Sequence, residues 1–269
     1  MQHQNNDRVT VTLGDDGVAQ VCFVRSDKMN ALDPKMFSSI IAAGHALHTM
    51  KGLRCVVLSG KGKAFCAGLD IASFGAEPDP DAPPLTERTY GNSNMFQQVA
   101  MLWRKLPVPV IAALHGVCFG GGMQIAAGAD IRVAAPDTRM AIMELKWGLV
   151  PDMGGYPLWR GLVRDDVLRE LVYTNRTFTG EDALEYGLTT FVDTDPLARA
   201  TAIATEIASR NPHAIRAAKR LANHAHDTPE DALLMEESIE QHGLMRTKNQ
   251  IEAVMAGMAK RPPQFEDVS

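Results

Sequence analysis

The stretch Pro109-Val110-Ile111-Ala112-Ala113-Leu114-His115-Gly116-Val117-Cys118-Phe119-Gly120-Gly121-Gly122 decides the fold. Five apolar residues, 110 to 114, form a run with no polar alternation, as expected of a short strand covered on both faces. The glycines then open an apolar helix running to about Gly128. Glycine allows close backbone approach, and a helix start presents unpaired N–H groups at the positive end of its dipole. That suits an anion or a developing oxyanion. A tight strand-to-helix turn would use the same glycines.

Similar punctuation recurs on either side. Upstream, Leu53 to Leu58 reads as a buried strand, followed by the turn Gly60-Lys61-Gly62 and the segment Phe65-Cys66-Ala67-Gly68-Leu69-Asp70. Downstream, Asp130 to Ala134 and Thr138 to Met143 read as strands. Val9–Leu13 and Val18–Val24 alternate around Gly14-Asp15-Asp16-Gly17, a hairpin pattern. Asp33-Pro34 opens a helix, with Asp as N-cap and Pro in the first turn, and Met36, Ile40, Ala43 and Leu47 on one face. A further helix is expected from about Glu87 to Leu106, and residues 75–86, rich in Pro, Asp and Ala, read as a mobile surface loop. Strand and helix alternate at about 50-residue spacing, which predicts an α/β fold with right-handed crossovers in a mostly parallel sheet. From Asp165 onward helices dominate: 165–173, Gly180 to Tyr186, 195–209, Pro212 to Ala225, Pro229 to Gly243 and Lys248 to Met258. The division expected is a core over 1–195 and a helical subdomain over 196–269.

Composition bounds the function. The 269 residues include 45% hydrophobic and 22% charged residues, ordinary for a water-soluble domain, and no apolar run long enough to span a bilayer. The polar start, Met1 to Asp7, reads as a frayed tail without a signal peptide's charged and apolar regions. A net charge of -5 argues against nucleic acid as partner. Cys22, Cys55, Cys66 and Cys118 lie in apolar stretches with no metal-ligand spacing, so no metal is expected. They read as small buried hydrophobes in a reducing cytoplasm, with Cys66 as an alternative reactive thiol beside the site.

Taken together, the two glycine-bearing segments resemble the crotonase family, also called the enoyl-CoA hydratase/isomerase family. Its patterns are F-x-A-G-x-D and, roughly fifty residues on, P-V-I-A-A-x-x-G-x-x-x-G-G-G. The resemblance extends to Arg25-Ser26-Asp27-Lys28-Met29-Asn30-Ala31-Leu32, Ala129-Asp130-Ile131-Arg132 and Thr179-Gly180-Glu181-Asp182-Ala183, and so covers nearly the whole chain. It implies a crotonase-like spiral of ββα units, with trailing helices that build trimers or dimers of trimers. It also implies an acyl-CoA thioester substrate and no separate cofactor, coenzyme A being part of the substrate. Backbone N–H groups at Ala67 and Gly121 would bind the thioester oxygen and stabilise the enolate. Lys28, Met29, Ala31, Ala67, Gly68, Leu69, Asp70, Gly120 and Gly121 would line the substrate site.

The catalytic positions separate the reactions. Hydratases of the family carry two glutamates, which fall here at Gln124 and Glu144. An amide hydrogen-bonds but does not shuttle a proton near neutral pH. One carboxylate suffices to move a double bond, since it can take a proton from one carbon and return it to another. Asp152 matches a second acid used by the family's dienoyl-CoA isomerases, although an aspartate before Gly154 could also cap a helix. The expectation is therefore an enoyl- or dienoyl-CoA isomerase using Glu144 and Asp152. The alternatives are a hydratase in which Gln124 orients water, and a non-catalytic acyl-CoA binding protein. His115 reads as a structural hydrogen-bonder. Trp103, Trp147 and Trp159 could line an acyl tunnel or fill the core. Arg216, Lys219 and Arg220 share a helix face that is either solvated or in contact with CoA phosphates of a neighbouring subunit.

Overall fold

The structure is a computed structural model that describes residues 3–75, 80 and 82–268. A seven-stranded sheet has the order β1 (His3–Asn5), β2 (Val9–Leu13), β3 (Val18–Phe23), β4 (Cys55–Gly60), β5 (Val110–Leu114), β7 (Ile131–Ala134), β9 (Phe191–Val192). The first three strands pair antiparallel and the rest are parallel. A second, two-stranded parallel sheet joins β6 (Val117–Phe119) to β8 (Arg139–Ala141). A parallel bridge from Cys66 to Cys118 extends it by one position. Chain segments leaving β4, β5 and β7 thus stack in a second tier, and the chain winds as a spiral.

Alternation along β4 and β5 explains why both strands are wholly apolar. Val56, Leu58, Val110, Ala112 and Leu114 enter the main core with helices α1 (Pro34–His48), α2 (Met95–Lys105) and α3 (Gly121–Ala127). Cys55, Val57, Ile111 and Ala113 face the opposite way, against α7 (Pro196–Ala208). That helix meets the sheet with Ala200, Ala204 and Ala208, one small residue every four, which permits close approach.

The remaining helices are α4 (Gly155–Trp159), α5 (Asp165–Thr174), α6 (Gly180–Glu185), α8 (Pro212–His224), α9 (Glu230–Leu244) and α10 (Lys248–Met258). Lys219 on α8 is buried and donates to the Trp103 and Val108 carbonyls and to Asp130, at 3.1, 2.8 and 2.8 Å. Arg220 pairs with Glu240 of α9 at 2.6 Å, and Arg216 donates to the Leu53 carbonyl at 3.2 Å. Of the cationic face expected of this helix, Lys219 is thus an internal joint, while Arg220 keeps about half of its side chain exposed. On α9 and α10 the large apolar residues Leu234, Met235, Ile239, Ile251, Val254, Met255 and Met258 stand 49–78% exposed.

Several expectations shift. His3–Asn5 is a strand on β2 rather than a frayed tail. Helix α2 begins at Met95, not near Glu87, because Asn94 and Gln97 close a reciprocal cap: Gln97 N–H donates to Asn94 at 2.9 Å and Asn94 N–H to Gln97 at 3.1 Å. Tyr90 and Ser93 are already paired across a turn at Gly91, which has φ +71°. The short strands β6 and β9 and the one-turn helix α4 add to the elements expected from the sequence. Of the loop expected over 75–86, residues 76–79 and 81 lie outside the described residues. No helix of the described residues is long and apolar enough to cross a membrane.

Because the Ala204 face has no spare depth, Ala204→Leu should overpack the sheet and destabilise the protein by roughly 1–3 kcal/mol. Urea denaturation would measure this, and an unchanged midpoint would show that α7 is not seated as described.

Candidate active site

Two loops from successive turns of the spiral meet on backbone contacts. Cys66 N–H donates to the Val117 carbonyl at 3.1 Å, and Phe119 N–H to the Cys66 carbonyl at 3.0 Å. A side chain at Gly68 would stand 2.9 Å from the Phe119 carbonyl oxygen, and one at Gly122 would stand 2.6 Å from that of Cys66. Gly68 also adopts φ +87°, open to glycine and strained for other residues.

A third segment docks on this pair. Leu32 N–H donates to the Gly68 carbonyl at 2.8 Å, and Asp70 N–H returns to Leu32 at 3.0 Å. Arg25 fastens it from outside by pairing with Asp70 at 2.7 Å and donating to the Ala31 carbonyl at 2.9 Å. The Arg25 hydrogen bond holds the Asp70 carboxyl below the usual carboxylate range. Fully buried Asn30 donates to the Lys61 and Ala64 carbonyls at 3.1 and 2.8 Å.

These loops border a cavity of about 490 Å³, within the range of small-molecule sites. Of the residues expected to bind substrate, Met29, Ala67, Gly68, Leu69, Gly120 and Gly121 line it, as do Glu144 and Asp152. Lys28, Ala31, Asp70 and Gln124 do not. Lys28 is exposed on an outer turn, Ala31 is buried, and Asp70 is spent on Arg25. Trp147, 46% exposed, lines the cavity, whereas Trp103 and Trp159 are fully buried core. His115 is bonded to the Gly62 carbonyl at 3.0 Å.

The backbone donors differ from expectation at one place. Ala67 N–H already donates to the Met29 carbonyl at 3.0 Å, so it is not free to receive a ligand oxygen. Two residues on, Leu69 N–H has no partner among the described residues, nor has the N–H of Gly121 at the start of α3. The available donors are thus Leu69 and Gly121, on loops so close that a Gly68 side chain would lie 3.6 Å from the Gly121 nitrogen.

Glu144 opens a short turn of 3-10 helix, Glu144–Trp147, after β8. Its Oε1 accepts from the Gln124 Nε2 at 2.6 Å, while Oε2 is buried without a hydrogen-bond partner among the described residues. Burial lifts its pKa above the ordinary glutamate value, the Asp152 charge adds to that rise, and the Gln124 N–H opposes it. Burial likewise raises the Asp152 pKa. Asp152 also borders a smaller pocket of about 250 Å³ beside Arg88, Asn92 and Tyr156. Gln124 has no exposed surface. Burial pushes the Cys66 thiol up to about 12, which removes it as a nucleophile. Such a site can hold an anionic oxygen on backbone N–H groups while a carboxylate moves a proton next to it.

A sequence profile of the family described as enoyl-CoA hydratase/isomerase matches residues 14–268. The mitochondrial Delta(3,5)-Delta(2,4)-dienoyl-CoA isomerase of Mus musculus is 28% identical over 265 residues, 96% of this chain and 81% of that protein. The 1,2-epoxyphenylacetyl-CoA isomerase of Escherichia coli (strain K12) is 30% identical over 254 residues, covering 93% and 95% of the two chains. Among solved structures, an enoyl-CoA hydratase from Bacillus anthracis superposes with a TM-score of 0.86 at 27% identity, covering 96% of this chain and 98% of that one.

Gly68→Ala should force a strained φ and a clash with Phe119, costing at least about 1 kcal/mol. It should lower the melting temperature and weaken binding of any acyl-CoA; a variant matching the parent in both would show that the loop contact is not limiting.

Proposed function

Since the chain belongs to the enoyl-CoA hydratase/isomerase family and has the crotonase fold, we propose that it is an isomerase that moves the double bond of an enoyl- or dienoyl-CoA. The thioester oxygen lies on the N–H groups of Leu69 and Gly121. One such donor is worth roughly 3 kcal/mol in a preorganised site. Glu144 takes a proton from one carbon of the bound enolate precursor and returns it to another, and Asp152 serves the more distant carbon of a dienoyl chain. The observation that carries this reading is the amide at position 124. Glu144 Oε2 is a buried carboxylate oxygen without a hydrogen-bond partner among the described residues, and the position two after the glycines holds no second proton carrier.

The relatives include hydratases as well as isomerases. Against hydration stands the Gln124 oxygen, which accepts from Met153 and Gly155 N–H at 2.8 and 2.9 Å and so has no lone pair left to orient a water. Loss of crotonyl-CoA absorbance at a robust rate would overturn the isomerase reading. Shifting absorbance of a 3,5-dienoyl-CoA without water uptake would support it. Glu144→Gln should reduce kcat by about 10²–10⁴-fold on every substrate, the usual worth of a general base. Asp152→Asn should do so for dienoyl substrates only. Because Glu144 must be ionised to act, kcat/KM should rise with pH, with a midpoint above the ordinary glutamate value. Unchanged turnover in Glu144→Gln would remove the catalytic assignment of Glu144.

The exposed apolar residues of α9 and α10 support assembly into a homotrimer or a dimer of trimers, covering surface that a monomer would leave wet. Light scattering should give three or six chains, and Leu234→Glu with Met255→Glu should reduce that number. A monomeric parent protein would refute it.

A further inference from the structure

Gln124 sits on α3 with both ends of its amide in use. Its oxygen meets two backbone donors, Met153 N–H at 2.8 Å and Gly155 N–H at 2.9 Å. Those donors fix which end of the amide is oxygen, since an NH₂ group there would face two further N–H groups. The nitrogen end is thereby turned to Glu144 Oε1 at 2.6 Å. Met153 and Gly155 follow closely on Asp152, which lines the cavity. One fully buried amide therefore joins the turn bearing Glu144 to the loop bearing Asp152.

We propose that Gln124 is a positioning residue: it ties down one oxygen of Glu144 and fixes Glu144 relative to Asp152. The inference rests on Glu144 being the proton carrier. An amide suits the task because it donates a hydrogen bond at every pH and adds no charge beside a buried carboxylate. A carboxylic acid in its place would keep the contacts to Met153 and Gly155 but would have to share a proton with Glu144.

The charged surroundings of Glu144 are few. Asp152 adds negative field. Lys146, on the same turn, stands over the Trp147 ring at 5.3 Å. Helix α3 carries no charged residue. Helix α5, packed near that turn, presents Asp165, Asp166, Arg169 and Glu170, all held in ion pairs with Arg169, Arg164, Asp165 and Arg176. No cation among these offsets the loss of the Gln124 N–H.

The test follows the Glu144 carboxyl itself. Glutamate carboxyl carbons are labelled with ¹³C, and the Glu144 signal is identified by its loss in Glu144→Gln. In Gln124→Met, which removes the donor, the Glu144 midpoint should rise by roughly one pH unit or more, the worth of a hydrogen bond to a charged group. The acid limb of kcat/KM should move by the same amount. In Gln124→Glu the signal should titrate in two steps, about two units or more apart, as a proton-sharing pair does. This variant retains the oxygen for Met153 and Gly155, so it carries the test if the Met variant fails to fold. A one-step titration in Gln124→Glu, or a folded Gln124→Met with the parent's midpoint, would overturn the proposal. If the parent protein turns over no enoyl-CoA, the isomerase reading fails, while the titration still decides the role of Gln124.

Discussion

The backbone of residues 66–68 must lie directly on that of residues 117–122. Everything around the cavity follows from this contact. It joins two turns of the spiral at the ends of strands β4 and β5, where the main sheet no longer provides partners. Cys66 bonds to both Val117 and Phe119, and the approach leaves no room for a Cβ at Gly68 or Gly122. The glycines thus act first as absences. The N–H groups of Leu69 and Gly121 have no partner among the described residues, while their neighbours are taken: Ala67 bonds to Met29, Asp70 to Leu32 and Gly120 to Ala141.

The same contact explains what could be read from the sequence and what could not. The buried strands β4 and β5, the β2–β3 hairpin and the Asp33-Pro34 helix start carry local signals, since their apolar pattern and cap residues lie within a few positions of one another. The glycine segments mark the site for the same reason. Which N–H groups of that site are free is a different matter. Along an extended segment, successive N–H groups point to opposite sides. Gly68, at φ +87°, interrupts that alternation, so Ala67 N–H meets the carbonyl of Met29 on the docked segment while Leu69 N–H does not face that segment, and the φ of 49° at Met29 belongs to the same arrangement. That left-handed turn, 38 positions upstream, carries no Gly or Pro to announce it. Lys219 was illegible in a similar way. Its face on α8 looks solvated in a helical projection, and only the return of the chain places Asp130 and two carbonyls against it. By contrast, the start of α2 was legible in principle, because Asn94 and Gln97 have capping-box spacing.

Glu144 poses the opposite problem, a charge that the fold buries on purpose. A buried carboxylate is costly unless its oxygens are bonded, and here one oxygen is bonded and the other is not. Full satisfaction would stabilise the ion and make it a poor base. Leaving both oxygens bare would favour the protonated form still further. A single amide contact lies between these limits. Burial and the charge of Asp152 favour the protonated form, while the backbone N–H groups of Glu144 and Met143 and the Gln124 amide support the ionised one.

A second acid at position 124 would change this balance. Two carboxyls in contact hold one proton between them, and the pair can then give one proton and take another, as adding water across a double bond requires. With an amide there, the proton that leaves a substrate carbon has a single carboxylate on which to reside. Returning it to the substrate is then favoured over losing it, because among the described residues no second proton-carrying side chain is hydrogen-bonded to that carboxylate. On the chemistry proposed here, the difference between relocating a double bond and hydrating it comes down to how many proton-carrying groups share the same few ångströms.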